Sequence, residues 1–225
     1  MDSKEEIMIE TKNLTKKFDS KIVFENVNLQ LKSGKSYAIV GQSGAGKTTL
    51  LNILGGLEKA TSGEILIDGT LENETNIKKL RLTTFGFVFQ NYGLMDKESI
   101  AENLRVGLLN SKLTKSEQLE KMKSVMKRVN LDGLSLTQKI YTLSGGEQQR
   151  VALARLILKK PTVIFADEPT GSLDGDNEEN IIDHLLNDFS DQATTIIATH
   201  SPRVWQKCDY ILKLSHQTIE VEKVA

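Results

Sequence analysis

The stretch Gly41-Gln42-Ser43-Gly44-Ala45-Gly46-Lys47-Thr48-Thr49 constrains this chain more than any other. It is entered from an apolar run, Ser36–Val40, that reads as a buried strand. It leads into Leu50–Leu54, which reads as a helix stopped at Gly55-Gly56. Gly41, Gly46, Lys47 and Thr48 stand at the spacing of a phosphate loop, in the strand–loop–helix context that such a loop requires. Glycines leave room for backbone to wrap closely around phosphate. Successive N–H groups and the helix N-terminus then form an anion cradle. Lys47 can reach the outer phosphates, and the Thr48 hydroxyl can ligate Mg²⁺.

The surrounding pattern points to an α/β fold with a mostly parallel sheet. Ile7, Ile9, Val27, Leu29 and Leu31 mark strand-like alternation over residues 7–32. Glu64–Gly69 reads as a strand closing on an Asp-Gly turn, and Phe85–Gln90 as a further strand ending on an amide. From about 91 to 142 helical spacing takes over. Thr114 and Glu117 fit a capping box, and Leu119, Met122, Val125, Met126 and Val129 form one apolar stripe. Ser144 and Glu147 fit a second capping box, opening a helix over Gln148–Lys160 that Pro161 ends. Thr162–Ala166 and Thr194–Thr199 are continuous apolar runs, as expected of strands buried on both faces. Tyr210–Leu214 and Thr218–Val221 read as a closing hairpin. The expected organisation is one domain over 1–225: a core with a β lobe (1–90 and 143–225) and a helical lobe inserted at about 91–142.

The 225 residues can bury a sizeable core, and a net charge of −1 gives no basic signature for nucleic acid. The single cysteine, Cys208, cannot form an internal disulfide and reads as a small buried apolar residue. The N-terminal residues are polar and acidic, so no signal peptide is expected. No apolar run is long enough to cross a bilayer, so a role at a membrane would need another chain to supply the span.

Asp167-Glu168 follows the buried run, where open α/β sheets place their ligands. Asp167 is expected to hold Mg²⁺ and Glu168 to polarise an attacking water. Gln90 ends its strand in the same way and is a candidate ligand for Mg²⁺ and water. His200 follows the run 194–199, and its imidazole can donate to a γ-phosphate and to the attacking water.

Taken together, Gly41–Thr49, Gln90, Leu143–Gln149, Asp167-Glu168, Ser172-Leu173-Asp174 and His200 resemble the ATP-binding cassette ATPases over nearly the whole chain. In that family these are the Walker A, Q-loop, signature, Walker B, D-loop and switch-histidine motifs, in this order. The resemblance implies a phosphate-loop ATPase fold with an antiparallel β lobe and a helical lobe, using ATP and Mg²⁺. It also implies a head-to-tail dimer in which the signature (Ser144, Gly145, Gly146, Glu147) of one copy caps the triphosphate held by the other. A hydroxyl and backbone N–H groups at a helix N-terminus suit that second anion site. Asp174 would contact the opposite subunit, and Phe18 stands where the family stacks an aromatic on adenine.

The runs Pro169–Asp174 and Gly145–Ala152 are most similar to the macrolide-export, lipoprotein-release and antimicrobial-peptide-resistance group. This implies a membrane permease with a large extracytoplasmic domain, whose coupling helix meets the segment starting Asn91–Met95. It places the chain at the cytoplasmic face of a bacterial membrane. One departure is Lys139–Thr142, where many relatives carry a proline. The alternative reading is a cell-division regulator of the same ATPase type, acting on a membrane partner without transport. A chromosome or DNA-repair ATPase would need a long coiled coil between phosphate loop and signature, and no sustained heptads occur there.

Overall fold

The computed structural model describes residues 6–170, 175–189 and 193–224. Its frame is a six-stranded sheet in the order β11-β10-β4-β9-β8-β7. The strands are β4 (Ser36–Val40), β7 (Phe85–Val88), β8 (Val163–Asp167), β9 (Thr194–Ala198), β10 (Tyr210–Ser215) and β11 (Thr218–Lys223). All neighbouring pairs from β10 to β7 are parallel, and β11 closes the edge as an antiparallel hairpin. Both faces of the central strands are covered. Tyr37, Ile39, Phe165, Ile196 and Ala198 pack into one apolar cluster, while Ala38, Ile164, Ala166 and Ile197 pack into the other. That is why these runs are unbroken in hydrophobicity rather than alternating.

A second sheet forms the β lobe. Its path β2-β1-β5-β6 joins β1 (Ile7–Phe18), β2 (Lys21–Val27), β5 (Ser62–Ile67) and β6 (Thr70–Leu71), and β3 (Gln30–Lys32) also pairs with β1. Every pairing in it is antiparallel. The Asp68-Gly69 turn joins β5 to β6 with both residues at positive φ, 48° and 68°, as a tight hairpin requires.

Between the sheets runs α1 (Lys47–Leu54), whose Leu50, Leu51, Ile53 and Leu54 are buried. The helical lobe holds α3 (Ile100–Val106) and α4 (Lys115–Arg128), packed on α5 (Gly145–Lys159). The two capping boxes form as expected, with Thr114 and Ser144 each accepting from the N–H three residues on. The remaining helices are α2 (Glu74–Thr83), α6 (Gly175–Asn187) and α7 (Pro202–Trp205).

Several boundaries differ from the sequence expectation. Strand β7 ends at Val88, where its ladder with β8 ends at Ala166, so Gln90 lies two residues past the strand in a turn closed by Tyr92 N–H to Phe89 O (2.9 Å). Strand β9 ends at Ala198, and His200 again follows by two residues. Helix α5 begins at Gly145 rather than Gln148, and Lys160 leaves it at φ 53°. In the α4 stripe, Met122, Val125, Met126 and Val129 are buried, but Leu119 is 43 % exposed because it falls off the face that meets α5. Helix α2 was not expected at all.

Candidate active site

The phosphate loop folds as its residue types dictate. Gly44 and Gly46 take φ of 74° and 106°, a region closed to most side chains. A Cβ on Gly46 would lie 2.2 Å from Val23 Cγ1, so the loop must be glycine here to lie against the β lobe. The loop opens onto a cleft of about 750 Å³ lined by Phe18, by Gly41, Gln42, Ser43, Gly44, Ala45, Gly46 and Thr49, and by Lys213–Gln217. Phe18 is 49 % exposed at its mouth, with the Lys16 ammonium 4.5 Å from its ring centroid. A flat exposed ring beside an anion cradle is a platform for a planar base.

Lys47 and Thr48 begin α1 and face the other side of the loop. Lys47 Nζ donates to Gly41 O (3.1 Å) and Gln42 O (3.3 Å). Thr48 Oγ1 donates to Asp167 Oδ1 at 3.0 Å. Parallel pairing of β4 with β9 and β9 with β8 brings these groups together across 119 residues of sequence. Asp167 is the last residue of β8, and burial raises its pKa despite the Thr48 hydrogen bond, with the Glu168 charge adding to the rise. A desolvated carboxylate crowded by a second acid, with a hydroxyl already in its reach, is a donor set that suits a divalent cation.

Glu168 leaves the strand at φ 44°, a left-handed conformation that glutamate rarely adopts, and its N–H is fixed on Ala198 O at 2.9 Å. The turn aims its carboxylate at the end of β9, where Oε2 lies 2.9 Å from His200 Nδ1. The His200 side chain is 72 % exposed and that of Glu168 only 17 %. The carboxylate is thus sheltered while the imidazole faces outward. Strained backbone of this kind persists where surrounding structure over-determines it, commonly at functional sites.

Among the described residues, Lys47, Thr48, Gln90, Asp167, Glu168, His200 and the Ser144–Glu147 group are not part of that cleft's lining. Gln90 is exposed in its turn, and Ser144, Gly145, Gly146 and Glu147 form the N-terminus of α5. There the Ser144 N–H and Oγ each donate to Glu147 Oε2 at 2.8 Å, and these hydrogen bonds, the backbone one first, lower the Glu147 pKa. Asp174 lies outside the described residues. The sequence reading missed the cleft wall at Lys213–Gln217, since nothing in a terminal hairpin announces that β10 pairs with the strand feeding the phosphate loop.

The ABC transporter family matches residues 24–171, which is more than half of the chain. This protein belongs to the ABC transporter family. Among its relatives, the lipoprotein-releasing system ATP-binding protein LolD of Buchnera aphidicola is 38 % identical over 222 residues, covering 95 % of this chain and 96 % of that protein. The macrolide export ATP-binding/permease protein MacB of Mannheimia succiniciproducens is 37 % identical over 92 % of this chain, which spans only 33 % of that longer protein. Among solved structures, the dimeric post-hydrolysis state of the ATP-binding cassette MJ0796, bound to ADP and Pi, superposes with a TM-score of 0.86. It is 33 % identical, and the match covers 97 % of this chain and 99 % of that one. The phosphate-loop fold with its mixed sheets is therefore that of an ABC ATPase cassette.

Proposed function

We propose that this cassette is the ATP-hydrolysing subunit of a transporter or force-transmitting complex, working as a head-to-tail pair on a membrane permease. The observation that carries the catalytic part is the placement of Glu168 against His200 beside the Asp167–Thr48 pair, at the open end of the phosphate loop. Adenine stacks on Phe18. The N–H groups of Gly41–Thr49 hold the phosphates, and Lys47 exchanges its two loop carbonyls for phosphate oxygens. Asp167, Thr48 and Gln90 would hold Mg²⁺, which supplies charge neutralisation on the phosphate oxygens.

Glu168 accepts a hydrogen bond from water and orients it in line with the γ-phosphorus. As the new P–O bond forms, the bond to the ADP oxygen breaks and the water proton passes toward Glu168. His200 holds Glu168 in place through Nδ1, and when the ring carries both protons its Nε2–H can donate to the departing phosphoryl group. Ser144, Gly145, Gly146 and Glu147 serve the triphosphate of the second copy, with Asp174 at the same interface. The related solved structures, dimers of the MJ0796 cassette, support the pairing.

The names of the relatives support a permease partner: one is an ATP-binding protein of a lipoprotein-releasing system and another joins ATP-binding and permease functions in one chain. Among the described residues, no helix is long and apolar enough to cross a membrane. The permease would hold the cassette at the cytoplasmic face of a bacterial cell membrane. Its coupling helix would meet the segment from Asn91 to Met95, where Met95 is exposed.

The test is Glu168→Gln. We expect ATP turnover to fall by at least ~100-fold while ATP converts the variant from monomer to dimer on a sizing column. A variant that stays monomeric with saturating ATP, or that turns over at the parental rate, would overturn this reading.

A further inference from the structure

Helix α5 carries the signature residues at its N-terminus, and the structure ties that helix to the Gln90 segment at two separate points. The first is Arg155. Its guanidinium donates Nη1–H to Gly93 O (2.7 Å) and Nη2–H to Tyr92 O (3.0 Å), a fork closed on two successive carbonyls. Burial lowers the Arg155 pKa, so those carbonyls are its compensation for lost water. The second point is the Tyr92 side chain. Its hydroxyl lies 3.3 Å from where a Cβ on Gly145 would stand. One short segment thus bonds α5 at Arg155 and places its Tyr92 hydroxyl beside the first residue of the helix, roughly 15 Å away along the axis.

The segment itself holds a specific backbone turn. Tyr92 and Gly93 both hold positive φ, 63° and 57°, which turns their two carbonyls toward α5. Tyr92 N–H bonds Phe89 O, and a Cβ on Gly93 would strike the Phe89 ring at 2.7 Å. The Phe89 ring in turn stacks on Phe87 of β7, with centroids 5.7 Å apart. On the second turn of α5, buried Gln149 donates its amide to the carbonyl of Pro169, the residue directly after Glu168. Helix α5 is therefore bonded to the residues that follow Gln90 and Glu168, two groups assigned above to the γ-phosphate of its own copy.

We propose that Arg155 and Tyr92 are positioning residues that lock the Gln90 segment to the signature helix, so that α5 carries the occupation of one ATP site to the placement of Ser144–Gly146 in the other. This rests on the paired-site reading above. A packed helix bonded beside one site and carrying residues of the other offers a physical route for coupling between the two. In this arrangement the Arg155 fork sets cooperativity, whereas ATP capture by a single copy depends on the phosphate loop alone.

The experiment compares the full chain with Arg155→Gln, Arg155→Lys, Tyr92→Phe and Tyr92→Leu. Three quantities are read for each: ATP affinity under dilute monomeric conditions, hydrolysis rate against ATP concentration, and thermal midpoint. For Arg155→Gln and Tyr92→Leu we expect ~10-fold lower turnover and a Hill coefficient near 1, with monomer ATP affinity within about twofold of the parent. Arg155→Lys keeps one donor and should recover part of the cooperativity, and Tyr92→Phe keeps the ring and should recover part of it too. Should Arg155→Gln fail to fold, the half-buried Tyr92 variants carry the test. If the parent pairs with ATP and both Arg155→Gln and Tyr92→Leu keep its Hill coefficient and rate, the clamp is overturned while the paired site stands. If Glu168→Gln never pairs with ATP, the paired-site reading fails, and the clamp proposal with it.

Discussion

Lys47 shows how a single residue can be prepared for its ligand. Its ammonium donates to two carbonyls of its own loop, so the charge is already held at the loop before any phosphate oxygen replaces them. Removing a charge-assisted donor of this kind costs about 1.5–3 kcal/mol, so Lys47→Ala should weaken ATP binding by roughly 10- to 100-fold in a titration with fluorescent nucleotide. Cys208 makes the opposite case. It is buried, its Sγ lies against Val204 O, and burial pushes its thiol up to about 12. It should resist thiol reagents in the native protein and react only when denaturant opens the fold, which mass spectrometry would read. At this scale the sequence was largely readable, because residue type and local order define a phosphate loop. What it concealed was adjacency. Glu168 and His200 both appeared as strand-end candidates, but their 2.9 Å contact depends on β8 and β9 lying side by side.

Among the elements, legibility followed the strength of local signals. The boxes at Thr114–Glu117 and Ser144–Glu147 were visible because each pairs a hydroxyl with an acid three residues on. Helix α2 opens with Asn73 and Asn76 in those roles, so the same geometry carried no recognisable pattern. The strand ends at Val88 and Ala198 were set by where the neighbouring ladder stops, which no single strand encodes. Three substitutions at α4 test the capping and packing arguments. Thr114→Ala should destabilise the protein by ~1 kcal/mol through the lost cap. Met122→Ala should cost about 2–5 kcal/mol, whereas Leu119→Glu, on the exposed side of the stripe, should stay within ~0.5 kcal/mol. Urea unfolding of the three variants would rank them.

For the whole molecule, the fold class was readable from alternating strands and helices, but the order β11-β10-β4-β9-β8-β7 was not, because crossovers leave no local trace. One consequence of the assembled fold is electrostatic. Glu72 is half-buried between the β lobe and α2, with its Oε2 unpartnered, and burial pushes its pKa to about 7 while the Arg81 charge pulls the other way. Glu58, Lys59, Glu64, Lys78 and Arg81 share its cavity. A carboxyl raised in the folded state binds its proton more tightly there than in the unfolded chain. Its contribution to stability is therefore greatest below the ordinary carboxylate range and is lost as pH rises through about 7. Glu72→Gln should raise the thermal midpoint at pH 8 and flatten its slope between pH 5 and about 7, as read by calorimetry against the parent.

The position of β4 bears on how the protein is made. The strand that delivers the phosphate loop lies between β9 and β10, so its two sheet neighbours come from Thr194–Ala198 and Tyr210–Ser215. A growing chain on the ribosome carries the loop from residue 49 onward, yet the loop has no sheet to stand on until more than 140 further residues have emerged. Nucleotide capture would thereby be one of the last events of synthesis, since β9 and β10 emerge only after Glu168 has been made.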